Sequence, residues 1–298
     1  MAEATERYAV VTGSNKGIGF GICKQLASKG ITVVLTARDD KRGLEAVEKL
    51  KEFDLHGHVL FHQLDVSDTA SVTSLADFIK TQFGKLDILV NNAGITGTTV
   101  DADALASSGY GTGGERKPID WNKIVIETYE SVEKAINTNY YGAKRMAEAL
   151  IPLLQVSDSP RIVNASSPMA KLENIPSGWG KEVLSDVDSL TEEKLDEMLT
   201  QLLKDFKEGS LETKGWPTLM SSYIISKAAL NAYTRILAKK YPSFCINCVD
   251  PGHVKTDINR HTGHLSIDEG AESHVRLALL PDGGPSGHFF SRTEETPF

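Results

Sequence analysis

The sequence predicts an α/β fold: a doubly wound parallel sheet of about seven strands in the order 3-2-1-4-5-6-7, with a helical insertion late in the chain. Two observations predict it. Apolar runs suited to strands buried on both faces alternate with segments of helical period, and a glycine-rich turn follows the first strand directly. A chain of 298 residues, 40% hydrophobic and 24% charged, is expected to form one such domain over residues 1–298.

The strands expected are YAVVTG from Tyr8, ITVVLTAR from Ile31, HVLFHQLDV from His58, LDILVNNAG from Leu86, RIVNAS from Arg161, CINCVDPG from Cys245 and a short GHFF from Gly287. Between them Ile18, Ile22 and Leu26 mark one helix face, and Val72, Leu75, Ile79 and Phe83 another. Strand–helix alternation of this kind implies right-handed crossovers and a parallel sheet. Two stretches interrupt it. Residues 96–118 are rich in Gly, Ser and Thr and read as a long loop after the fourth strand. Residues 168–220 separate RIVNASS from the helix SSYIISK and contain LTEEKLDEMLTQLLKDF, an amphipathic helix with Leu195, Met198, Leu199 and Leu202 on one side. Both follow the C-terminal ends of strands, where open parallel sheets bind ligands. The second reads as a helical lid.

The bulk properties exclude several classes. A net charge of −8 with no basic block argues against a nucleic-acid or anionic-membrane surface. The polar start MAEATERY and the lack of a long apolar run lead us to expect a cytoplasmic protein. Cys23, Cys245 and Cys248 make no disulfide framework. The last two sit three apart in a strand and so point to opposite faces. His261 and His264 lack a carboxylate or thiol partner and read as surface loop, so no metal is expected.

The glycine turn TGSNKGIGF spaces Gly13, Gly17 and Gly19 as GxxxGxG between a strand and a helix. Bare backbone there can approach a pyrophosphate, which the free N–H groups of the helix start attract. In the first unit of a doubly wound sheet this is a Rossmann-type dinucleotide site. An acid after the second strand would bind the ribose hydroxyl of NAD, and an Arg the 2′-phosphate of NADP. The chain offers both in Ala37-Arg38-Asp39-Asp40, with Lys16 as a second cation. Tyr223 and Lys227 then stand four apart on one helix face.

Together TGSNKGIG, NNAG, RIVNASS, YIISK and DPGHVKT resemble the short-chain dehydrogenase/reductase family, over nearly the whole chain from Tyr8 to Phe290. The stretches SDSPRIVN, LTEEKLDE, KGWP, KAALNAYTRILAKKYPSF and LLPDGGPSG are similar to its monomeric plant branch, which includes salutaridine and menthone reductases, and more distantly to carbonyl reductases. In the family a catalytic serine lies about 13 residues before the tyrosine, which lands on Ser210 in the charged turn KEGSLETKG. Ser167 emerges from the strand RIVNA at the ligand edge, and the resemblance assigns it the role, with Ser166 as the neighbouring alternative. NYYGAK selects Asn139 over Asn137.

The resemblance implies hydride transfer to a carbonyl, with Asn139, Ser167, Tyr223 and Lys227 catalytic and NADPH as cofactor. Ser167 would bond the carbonyl oxygen and Tyr223 would protonate it. A phenol with a pKa of about 10 suits neutral pH poorly. A cation about 4 Å away at an effective dielectric of ~20 supplies about 4 kcal/mol, so Lys227, with the positive charge of the oxidised nicotinamide, is expected to depress the Tyr223 pKa. Lys227 should also hold the ribose, and Asn139 a water. Cofactor contacts are expected from Gly13, Asn15, Lys16, Gly17, Ile18, Gly19, Arg38, Asp65, Val66, Asn91, Asn92, Ala93, Gly94, Tyr223, Lys227, Pro251, Gly252, Val254 and Thr256. Asp65 should meet the adenine, and Arg38 and Lys16 the 2′-phosphate. Ile95, Met169, Trp179 and Met220 are expected to line the substrate pocket, with Trp216 a further candidate and core packing the alternative for each Trp.

Pro168 and Ala170 stand where the family commonly has a small flexible run, and Asp250 precedes Pro251, where an acid would repel a pyrophosphate unless turned away. The substrate expected is a bulky apolar ketone or aldehyde of the terpenoid or alkaloid kind, and the protein is expected to be a monomer without macromolecular partners. The alternatives are reduction of a conjugated C=C bond and a non-catalytic NADP-binding protein. Some relatives reducing C=C have lost the tyrosine, which this chain keeps.

Overall fold

The computed structural model describes residues 6–107 and 119–298. The start of the polar N-terminus and residues 108–118 of the expected first loop lie outside them. Strands β1 (Tyr8–Val11), β2 (Thr32–Ala37), β3 (Val59–Gln63) and β4 (Ile88–Asn91) form in sequence with helices α1 (Gly17–Ser28), α2 (Asp40–Leu50) and α3 (Thr69–Phe83) between them. After β4 the chain makes a two-residue ladder, β5 (Thr99–Val100) against β6 (Val125–Ile126), with the short helix α4 (Ala102–Ser107) in between. There follow α5 (Tyr129–Ile136), a wide π-helical turn (Asn137–Tyr141), α6 (Gly142–Leu154) and β7 (Arg161–Ala165). The insertion carries α7 (Trp179–Ser185) and α8 (Glu192–Lys207) before α9 (Ser221–Lys240), β8 (Cys245–Asp250), α10 (Ile267–Ala278), β9 (Phe289–Ser291) and β10 (Glu294–Thr296).

The main sheet has eight strands, in the order β10-β9-β8-β7-β4-β1-β2-β3. The seven expected strands take their expected places and run parallel, while β10 pairs antiparallel with β9 at the edge. The sequence reading missed β10 because Glu-Glu-Thr at an exposed edge has no apolar period. It also missed β5 and β6, which are too short to show one. Two apolar layers flank the sheet. One packs α1, α2 and α10 under it through Ile22, Leu26, Val47 and Val275. The other packs α3, α5, α6 and α9 through Leu75, Ile136, Met146 and Ile225.

The amphipathic segment is helical, and Leu195, Met198, Leu199 and Leu202 are all fully buried in that second layer. Burying such side chains stabilises by roughly 1.5–3 kcal/mol each. Lys144 of α6 pairs with Glu192 and Asp196 of α8, at 3.4 and 2.9 Å. The insertion therefore lies against α5, α6 and α9. Trp216 belongs to its core. Its indole Nε1 donates to Asp205 Oδ2 at 2.7 Å, and it is buried. Among the described residues no helix is long and apolar enough to cross a membrane. Cys23, Cys245 and Cys248 are free and buried.

Candidate active site

The ends of β1, β2, β4 and β7, with helices α1 and α9, define the site. β1 ends in the glycine turn, whose Gly17 has φ +57° and sits against the Thr256 methyl, so a side chain there would be strained by the backbone conformation. Helix α1 starts without a side-chain cap and without an acid in its first turn, which leaves its first N–H groups and dipole end for an anion. Asn92 clasps this turn from β4, donating Nδ2 to the carbonyls of Thr12 and Gly13 at 2.9 and 3.1 Å. The Ala93 N–H bonds Thr12 Oγ1 at 2.9 Å. Asn91 departs from expectation. It is buried and donates to the Asn164 side chain at 2.8 Å, bracing β4 to β7 instead of lining the edge.

At the end of β2, Asp39 caps α2 by accepting from the Arg42 N–H at 2.8 Å. Arg38 beside it is exposed, as are Asp40, Lys41 and Arg42. Lys16 is not free: its ammonium is 2.5 Å from Asp257, an exposed pair reaching over from the chain after β8. Asp65 folds back to accept from the Ser67 N–H at 2.9 Å. Val66 turns its side chain to Gly142, where a Cβ would come within 2.8 Å of it. Val254 likewise presses on Gly270, where a Cβ would lie 2.4 Å from its methyl. Only their backbones can therefore face a ligand. Asn15, Ile18 and Gly19 complete the turn. Asp257 also meets His261 Nε2 at 2.9 Å, and no metal-ligand group of His, Cys, Asp and Glu occurs among the described residues.

Beside this turn the structure brings Ser167, Tyr223, Lys227 and Asn139 to one place. Ser167 lies just past β7, buried, with its hydroxyl near enough to the Tyr223 phenol to act on its pKa. Its Oγ also accepts from the Met169 N–H at 3.2 Å, which caps the turn Pro168–Ala170. Pro168 is the first residue of that turn, where its fixed φ is pre-set, so this departure stiffens the chain after Ser167. Ser166 faces the other way, donating to buried Asn231 Oδ1 at 2.6 Å. Ser210 is remote: its hydroxyl bonds the Asp205 carbonyl at the end of α8.

Lys227 is buried and donates to the Ala165 carbonyl at 2.6 Å. Gly94 forms a floor common to it and Asn139, since a Cβ there would stand 3.3 Å from both Lys227 Nζ and Asn139 Oδ1. Asn139, in the π-helical turn, grips Ile95 from both sides. Its Oδ1 accepts from the Ile95 N–H and its Nδ2 donates to the Ile95 carbonyl, both at 2.9 Å. Nδ2 also donates to Ser226 Oγ at 3.0 Å. The side chain is thus a clamp on the β4 loop. Asn137 instead accepts from Arg145 at 2.7 Å.

The electrostatics differ from expectation at one point. Burial pushes the Tyr223 pKa up, opposed by the nearby Ser167 hydroxyl and reinforced by the Asp250 charge. Burial also lowers Lys227 to about 8. The Lys227 ammonium is directed at the Ala165 carbonyl, and burial is the largest influence on the phenol. Tyr223 accordingly keeps its proton at neutral pH. Asp250 is turned away from the glycine turn: it accepts from the Gly252 N–H at 2.8 Å and from Ser291 Oγ at 3.2 Å. Burial raises its pKa. Of the expected pocket residues, Ile95, Met169 and Met220 are half-buried, while Trp179 is exposed at the start of α7.

Sequence reasoning missed Glu127, which accepts four hydrogen bonds at the start of α9. A lone acid in VIETYES carries no local signal of such a role.

The family model described as short chain dehydrogenase matches residues 7–110. The chain is 60% identical to (+)-neomenthol dehydrogenase of Arabidopsis thaliana, covering all of both chains. Its fold superposes on the solved structure of salutaridine reductase from Papaver somniferum with a TM-score of 0.89, at 54% identity over 96% of this chain and 99% of the other. A more distant relative is carbonyl reductase [NADPH] 3 of Mus musculus, 36% identical over 95% of this chain and 94% of that protein.

Proposed function

This chain belongs to the short-chain dehydrogenase/reductase family, and on that premise we propose that it reduces a bulky apolar ketone of the terpenoid or alkaloid kind to the alcohol with NADPH. It is an oxidoreductase acting on carbonyls. The observation that carries the reading is the placing of the Ser167 hydroxyl beside the Tyr223 phenol at the sheet edge, with Lys227 one turn further along α9.

The glycine turn with the free start of α1 fits a pyrophosphate, and Arg38 fits a 2′-phosphate once Asp39 is occupied as a cap. The bare floor at Gly94 fits a flat ring beside Lys227. Gly252 and Thr256 would close over the cofactor from β8. When bound, the nicotinamide supplies the hydride.

The chain's own groups do the rest. Ser167 and Tyr223 hydrogen-bond the carbonyl oxygen and so stabilise its growing negative charge. Tyr223, protonated at neutral pH, gives that oxygen its proton. One Lys227 N–H is held by Ala165, and the others remain to bind ribose hydroxyls. Asn139 fixes Ile95 and with it the wall of the pocket. Support for a monomer comes from the insertion, which lies over α5, α6 and α9. A dimer by light scattering at micromolar concentration would count against it. The three free thiols suit a reducing, cytoplasmic setting.

The test is NADPH oxidation with a panel of cyclic and aryl ketones. The parent protein turns over at least one of them, and Tyr223→Phe loses it. A variant retaining a tenth of the activity, or a parent that binds NADPH and reduces none, overturns the reading.

A further inference from the structure

Helix α9 begins without a cap of its own. Met220, the residue before it, lies at φ 54°, ψ 37°, in the left-handed region that non-glycine residues seldom enter, and contributes no side-chain cap. The first N–H groups of a helix have no intrahelical acceptor and must find one elsewhere. These find Glu127. Its Oε2 accepts from the Ser221 N–H at 2.8 Å and Ser221 Oγ at 3.1 Å, and its Oε1 accepts from the Ser222 N–H at 3.1 Å and Ser222 Oγ at 2.6 Å. A carboxylate at this end of a helix is also favoured by the dipole.

Glu127 comes from a segment far from α9 in the chain. It follows β6 and immediately precedes Thr128, the cap of α5. The chain after β4 meets the same point. A Cβ on Gly97 would lie 2.6 Å from Ser222 Oγ, and the Gly97 carbonyl accepts from Ser131 Oγ of α5 at 2.7 Å. Three segments are thus locked together one residue before Tyr223. A local Ser or Asp cap would stabilise the helix without tying it to anything. A four-bond grip from a separate segment also fixes where the first turn stands. That turn is the part of a helix that frays, and Tyr223 is its third residue.

We propose that Glu127 is a positioning residue for Tyr223, holding the first turn of α9 so that the phenol meets Ser167 and the carbonyl oxygen. The inference rests on the reading of Tyr223 as the proton donor. A displacement of about 1 Å at a reacting group can cost on the order of 100-fold in rate.

Glu127→Ala and Glu127→Gln are assayed with NADPH and the panel ketone that the parent reduces fastest, well below their melting temperatures. Glu127→Ala is expected to lower kcat at least tenfold, with NADPH Kd by fluorescence and ketone KM each within threefold of the parent. Glu127→Gln keeps one acceptor oxygen and should recover part of the loss. If Glu127→Ala does not fold, Glu127→Gln and Ser222→Ala carry the test, each with a kcat reduction of threefold or more. A kcat within twofold of the parent in every folded variant overturns the proposal, as does a loss seen only in KM or NADPH affinity. An active Tyr223→Phe variant overturns the reading beneath it instead, so the two failures are distinct.

Discussion

Lys227 donates its ammonium to the backbone carbonyl of Ala165, 2.6 Å away, two residues before Ser167. Since Tyr223 lies four residues before Lys227 on α9, two pairings run side by side, Ala165 with Lys227 and Ser167 with Tyr223. They tie the end of β7 to the helix.

The first prediction concerns the energetic consequence of this burial. Lys227 has a folded pKa of about 8 against 10.5 in the unfolded chain. Below pH 8 the folded state must carry a desolvated ammonium. Between about pH 8 and 10.5 the unfolded state holds the extra proton, so stability rises with pH. Lys227→Met removes this dependence. Urea denaturation at pH 7.5 and 9.5 should show the parent gaining about 2 kcal/mol relative to the variant. Parallel behaviour of the two proteins would refute the assignment.

Ser166 and Ser167 are adjacent but face different partners, which predicts opposite phenotypes. Ser167→Ala should lower kcat about 100-fold with little loss of stability. Ser166→Ala leaves buried Asn231 Oδ1 without its donor and should cost roughly 1–3 kcal/mol, with kcat nearly unchanged. Steady-state kinetics and thermal melts of both variants decide it, and equal kcat losses would contradict the structure.

Cofactor choice should reside in Arg38. Arg38→Ala is expected to weaken NADPH by about 10–100-fold, the worth of one or two charge-assisted hydrogen bonds, and to leave NADH unaffected. Lys16→Ala should do less, because Asp257 already engages that ammonium. Titration of both variants with both cofactors checks this. Similar losses for NADPH and NADH would place the 2′-phosphate elsewhere.

Trp216→Phe should destabilise the protein by about 2 kcal/mol, because the buried Asp205 carboxylate loses the indole donor and keeps only Gln201. A midpoint shift worth less than about 0.5 kcal/mol in urea would mean the carboxylate is solvated after all.

Much of this was legible in the sequence because parallel strands buried on both faces must be apolar. β1, β2, β4, β7 and β8 stand out as runs such as AVV, TVVL and CINCV. The glycine turn was legible because close approach to an anion leaves few residue choices. The direction of the Tyr223 shift was not, since it depends on where the Lys227 ammonium points and on how much water burial removes. Nor was the burial of Asn91, which follows from its register opposite Asn164. Glu127 lies 94 positions from Ser221, and no local pattern connects the two.

The insertion has a consequence for how the site is assembled. Bringing the Ser167 hydroxyl to the Tyr223 phenol closes a loop of 56 positions. The spacing usual in the family closes about 13. For a flexible chain the longer closure costs about 1 kcal/mol more in entropy. The buried face of α8 and the Trp216–Asp205 bond offset that several times over. The small secondary core between them in the chain thus offsets the entropy of bringing that hydroxyl and phenol together across the longer span.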